Sequence, residues 1–80
     1  MIVRVLLFAS YADALGASEL SLDLPAGARV LDVLTHVKAL ASGKRLPERP
    51  MVAVNQRYAR DDQAVTAADE VAIIPPVAGG

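Results

Sequence analysis

Eighty residues with a net charge of −1 make one small domain, and that near-neutral balance argues against a nucleic-acid surface. The absence of cysteine excludes disulfides, and a single histidine, His36, speaks against a zinc site. Hydrophobic residues make up 54% of the chain, much of it alanine, so stability must come from a thin apolar core, helped by a partner.

Residues 2–9 read as a strand rich in Ile, Val, Leu and Phe. Alternation assigns Val3, Val5 and Leu7 to a core face and Ile2, Arg4, Leu6 and Phe8 to the other. This stretch is too short for a signal peptide and is broken by Arg4. No window reaches the ~18 apolar residues of a membrane span, so the expectation is a soluble, cytoplasmic chain with no membrane partner. Residues 11–16 read as a loop or single turn. Residues 18–24 alternate cleanly, with Leu20, Leu22 and Leu24 inward, and predict a second strand antiparallel to the first. Pro25-Ala26-Gly27 stops it.

From residue 29 to 41 the period becomes helical, with Val30, Val33, Leu34, Val37 and either Leu40 or Ala41 on one stripe. The amino-terminal cap is poor, because Ala28 stands where Ser, Thr or Asp is favoured. Asp32 near the positive end of the helix offsets part of that weakness, and Ser42-Gly43 ends the helix. Lys44, Arg45 and Arg49 cluster in the following loop, where solvation accounts for them. Residues 51–54 form a short apolar strand, Asn55-Gln56 a turn in which Asn accepts positive φ, and residues 58–60 a brief return strand. Residues 61–69 are polar and turn-like, with Val65 as the core anchor. Residues 70–74 are the last strand, with Val71 and Ile73 on one face and Ala72 and Ile74 on the other.

The chain then runs Pro75-Pro76-Val77-Ala78-Gly79-Gly80. The prolines fix φ near ~−65° and donate no N–H, so the ladder ends there and the preceding residues stay extended. Five residues beyond Pro75 reach roughly 16–18 Å. Two residues without Cβ make the tip thin enough for a narrow tunnel. A Gly-Gly end is ordinarily a frayed terminus. Behind an apolar strand and a stiff spacer, it reads instead as an arm that delivers the Gly80 carboxylate. The predicted organisation is a domain over residues 1–75 and an extended, flexible tail over residues 76–80.

The order β-β-α-β-β-β, with the first and last strands apolar on both faces and therefore central and parallel, gives an α+β fold. One main helix packs on one face of a mixed sheet, which is the ubiquitin-like β-grasp arrangement. The chain resembles the small, sulfur-carrier subunits of molybdopterin synthase, the MoaD family. The resemblance is carried by Val5-Leu6-Leu7-Phe8-Ala9, by Asp32-Val33-Leu34, by Ala53-Val54-Asn55-Gln56 and above all by residues 69–80, from Asp-Glu-Val-Ala-Ile-Ile into Pro-Pro-Val-Ala-Gly-Gly. It departs from the family pattern at Ala28-Arg29, at Ala68 where a glycine is common, and in the short loop of residues 42–50. These changes bear on capping and turn geometry rather than on the chemistry.

The resemblance implies that a MoeB-like, ubiquitin-activating-like adenylyltransferase uses ATP to adenylate Gly80. A sulfur-donor protein then leaves a thiocarboxylate. A large, MoaE-like synthase subunit, paired with this one in a heterotetramer, presents it to cyclic pyranopterin monophosphate. Gly80 would carry the sulfur and Gly79 would permit close passage, while the chain binds no cofactor and is not catalytic alone. Partner contacts are expected on the sheet face opposite the helix, at Phe8, Tyr58 and Ile74, and along Pro75, Pro76, Val77 and Ala78. An outward Phe, Ile and Tyr on so small a protein form an apolar patch of the kind that marks interfaces. Tyr58 has a second reading, as cover for the core edge. The alternatives are a sulfur carrier of another pathway (thiamine thiazole or another thiolation), a ubiquitin-like protein modifier, and a structural β-grasp module. His36, Asp61-Asp62 and Asp69-Glu70 lack the neighbours that would complete an active or metal site.

Overall fold

The computed structural model describes residues 1–41 and 50–75. Its elements are β1 (Ile2–Leu7), α1 (Ala9–Leu15), β2 (Glu19–Asp23), α2 (Val30–Leu40), β3 (Met51–Val54), β4 (Arg57–Tyr58) and β5 (Glu70–Ile74). They build one five-stranded sheet in the order β2-β1-β5-β3-β4. β1 runs antiparallel to β2 and parallel to β5, with Val5 opposite Val71. β5 is antiparallel to β3, so the last strand is paired on both sides. The expected central, parallel pairing of first and last strands is therefore observed.

Alternation decides which face is buried. Val3, Val5 and Leu7 of β1, Val71 and Ile73 of β5, and Val52 and Val54 of β3 point to one side. There they form a single core with Val30, Val33, Leu34 and Val37 of α2. At the end of that helix Ala41 is buried and Leu40 exposed. Val65 is 2% exposed and pins the turn-rich segment before β5 into the same core. Among the described residues no helix is long and apolar enough to cross a membrane.

Two local features differ from expectation. Residues 9–15 form a helix rather than a loop, and Tyr11 on it is buried. Phe8, still extended at φ −123°, is its N-cap, so β1 ends two residues earlier than predicted. Gly16 closes α1 at φ 68°, its N–H donating to the Ala12 carbonyl, which is the left-handed C-cap glycine favours. The return strand also starts one residue earlier and is shorter than predicted, at Arg57–Tyr58.

The poor cap of α2 is remedied by chain far away in sequence. The Val30 N–H donates to the Gln63 carbonyl at 2.9 Å and the Leu31 N–H to the Asp61 carbonyl at 3.0 Å. The Arg29 N–H donates to Asp32 Oδ2 at 2.8 Å. A guanidinium has no lone pair to offer in return, so only one half of a capping box forms. The helix stop expected at Ser42-Gly43, and the basic cluster of Lys44, Arg45 and Arg49, lie outside the described residues.

Candidate functional site

The face of the sheet turned away from α2 has no element of this chain packed on it among the described residues. Register fixes what lies there. Leu6 is opposite Ala72, Ala72 opposite Ala53, and Ala53 opposite Tyr58, giving one row across four strands. Two alanines at the centre of that row keep its floor low. The larger Leu6, Phe8, Tyr58 and Ile74 rise around it, with Gln56 and Glu70 at one end. The result is an open hollow of about 370 Å³.

Its exposure is uneven. Phe8 is 47% and Tyr58 72% exposed, whereas Ala53 is 7% exposed. Tyr58 therefore does not cover the core edge, and the alternative reading of that residue is set aside. Ile74 and Pro75 are half-buried, and Met51 faces Ile74 across the β3–β5 ladder. The sequence-predicted Phe8, Tyr58 and Ile74 thus lie together, and the chain leaves the sheet at the apolar end of the hollow. Pro76, Val77, Ala78, Gly79 and Gly80 lie outside the described residues. Ala53, Gln56 and Glu70 were not anticipated as lining residues. The signal available for the first was its small size between two valines of an apolar strand.

Apart from Glu70, which lines the hollow, the charged groups of this face are paired along its β1–β2 side. The Arg4 Nε donates to Glu19 Oε1 at 2.8 Å on the β1–β2 side, an exposed pair of small energetic weight. The Met1 ammonium lies 3.3 Å from Asp23 Oδ1 and donates to the Leu24 carbonyl at 2.7 Å. His36 is exposed on α2, on the opposite layer.

The Asp69-Glu70 pair is a structural junction. Asn55 Nδ2 donates to Asp69 Oδ1 at 2.8 Å, and the Thr66 N–H donates to Asp69 Oδ2 at 2.8 Å. The first of these bonds, then the second, holds the Asp69 carboxyl below the usual carboxylate range. Asn55 also exchanges bonds with the Glu70 backbone, its Oδ1 accepting that N–H at 2.9 Å and its own N–H donating to the Glu70 carbonyl at 2.8 Å. Asn55 and Gln56 themselves sit at φ 53° and 69°, the twist of a two-residue hairpin turn.

Comparison with known proteins adds to this geometry. The model of the ThiS family matches residues 5–80. A protein of Chlamydomonas reinhardtii is 37% identical over 83 aligned positions, covering 100% of both chains. One of Arabidopsis thaliana is 36% identical over 79 residues, covering 98% of this chain and 82% of its own. Both are named molybdopterin synthase sulfur carrier subunit. Among solved structures, the putative molybdopterin converting factor subunit 1 of Pyrococcus furiosus superposes with TM-score 0.82 at 29% identity, covering 96% of this chain and 99% of that one. SAMP1 of Haloferax volcanii does so with TM-score 0.81 at 27% identity over the whole of both chains. The fold is the ubiquitin-like β-grasp.

Proposed function

Because the chain belongs to the ThiS family, we propose that it is a sulfur-carrier subunit of molybdopterin synthase. The observation that carries this reading is likeness over 98% and 100% of the chain to two proteins of that name. A carboxylate is a poor electrophile. An ATP-dependent adenylyltransferase therefore joins the Gly80 carboxylate to AMP and releases pyrophosphate, and ATP is held by that enzyme rather than by this chain. A sulfur-donor protein displaces AMP and leaves the Gly80 thiocarboxylate, which passes its sulfur to cyclic pyranopterin monophosphate on the large synthase subunit. Two carriers supply the two sulfurs of one dithiolene.

The chain's own residues contribute access and presentation. Gly79 and Gly80 present an unhindered carbonyl, which any Cβ would crowd. Pro75 and Pro76 reduce the freedom lost when the tail enters a partner. Phe8, Tyr58 and Ile74 supply an apolar docking surface beside the point where the tail departs.

The test is the intact mass after incubation with a cognate activating enzyme, MgATP and a sulfide source. Exchange of one oxygen for sulfur, mapped to Gly80, is the expected result. An unchanged mass with active enzyme would sink the reading. Likeness to SAMP1, a small archaeal modifier protein, favours a second reading, in which Gly80 is joined to lysines of other proteins. Covalent adducts on many cellular proteins, in place of one stable large-subunit complex, would select it.

A further inference from the structure

The hollow on the open sheet face is apolar at the end where the tail leaves and acidic at the other. Same-face residues of a strand are about 6.6 Å apart, so β5 spreads Glu70, Ala72 and Ile74 over roughly 13 Å. Four charged residues sit on this face or its margin by register: Arg4, Glu19, Asp23 and Glu70. Asp23 lies against the Met1 ammonium, and Arg4 is engaged by Glu19. Arg4 is also in register with Glu70, but its Nε is bonded to Glu19 at 2.8 Å. Among the described residues Glu70 has no cation within ion-pair distance.

Glu70 is also held in place. Both its backbone N–H and its carbonyl are bonded to Asn55, and Asn55 is clamped by Asp69. A surface that covers the hollow removes water from this carboxylate, and burying a charge without a partner is strongly unfavourable. The covering surface must therefore bring a cation to this end of the hollow.

We infer that Glu70, with Gln56 beside it, receives an arginine or lysine of the large synthase subunit. That cation flanks an apolar side chain seated between Leu6, Phe8 and Tyr58, and the pair sets the register in which the subunit docks. The inference rests on the sulfur-carrier reading, which supplies the occupant. Apolar contact alone would let the partner slide along the face. A fixed charge about 13 Å from Ile74 fixes where the departing tail points.

The experiment is a binding titration of the full chain against the purified cognate large subunit at low and high salt, with Glu70→Gln, Glu70→Lys and Ile74→Asp. Glu70→Gln should weaken binding about two- to fivefold at low salt and flatten the salt dependence. Glu70→Lys should weaken it tenfold or more, because it sets like charges together, with a melting temperature close to that of the parent. Parental affinity and salt dependence in both Glu70 variants, with binding lost in Ile74→Asp, would overturn the inference and leave the sulfur-carrier reading standing. Failure of the parent chain to bind the large subunit would overturn both.

Discussion

Asp69 shows how a surface carboxylate acts without being a catalyst. Its two accepted hydrogen bonds tie the hairpin turn at Asn55 to the Thr66 turn, and they favour the ionised form. A carboxyl whose folded pKa lies below its unfolded value stabilises the fold fully above that unfolded value, about 3.9. The contribution disappears as the pH falls through the lower folded value. Asp69→Ala should therefore cost about 1 kcal/mol at neutral pH, and the difference from the parent should narrow below pH ~3.9. Urea unfolding at neutral and strongly acid pH checks this, and a pH-independent difference would contradict it. Asn55 is legible in the sequence as a turn residue. Its bond to Asp69, 14 residues away, is not, because no spacing rule connects two polar residues in separate turns.

The elements were legible where periodicity is strong and obscure where a short segment borrows its stability. The four longer strands and α2 follow directly from runs of alternating or helically spaced apolar residues. Helix α1 escaped notice because it opens on Phe8 with no capping side chain and spans only seven residues. Tyr11 and Leu15 at i,i+4 spacing, followed by Gly16, were the signal that could have found it. Helix α2 lacks its own cap because backbone carbonyls at residues 61 and 63 do that job, held there by buried Val65. Val65→Ala removes two buried methyl groups, and at ~0.8 kcal/mol per carbon plus a cavity it should cost about 2 kcal/mol in chemical denaturation. An exposed-site cost of a few tenths would mean that the segment is not anchored there. In the hairpin, Gln56 holds a positive φ that glycine adopts freely. Gln56→Gly should therefore raise stability by about 1 kcal/mol. A lower melting temperature for that variant would show that the side chain contributes more than the strain removes.

At the scale of the whole molecule, stability and presentation are assigned to different parts. The core residues of the described structure fall between Val3 and Ile73, and the proposed chemistry lies at Gly80. Deleting Gly80 should leave the thermal midpoint nearly unchanged while abolishing thiocarboxylate formation, measured by melting and by intact mass on the same sample. A substantial drop in the midpoint would show that the terminus belongs to the fold. The candidate site was half legible. Alternation put Leu6, Phe8, Ala72 and Ile74 on the open face, because strand period alone decides that. Alternation along β5 puts Glu70 there too, whereas the cross-strand register that brings Ala53 and Gln56 to the same hollow cannot be obtained from any single strand.

The position of β5 has a mechanical consequence. Any traction on the tail is delivered to a strand hydrogen-bonded on both sides, parallel to β1 and antiparallel to β3. A pull along that strand loads the two ladders in shear, so their bonds resist together instead of opening one after another from an end. A partner can therefore draw the carboxy-terminal segment taut, or wrench itself free of it, against the stiffest direction the sheet possesses.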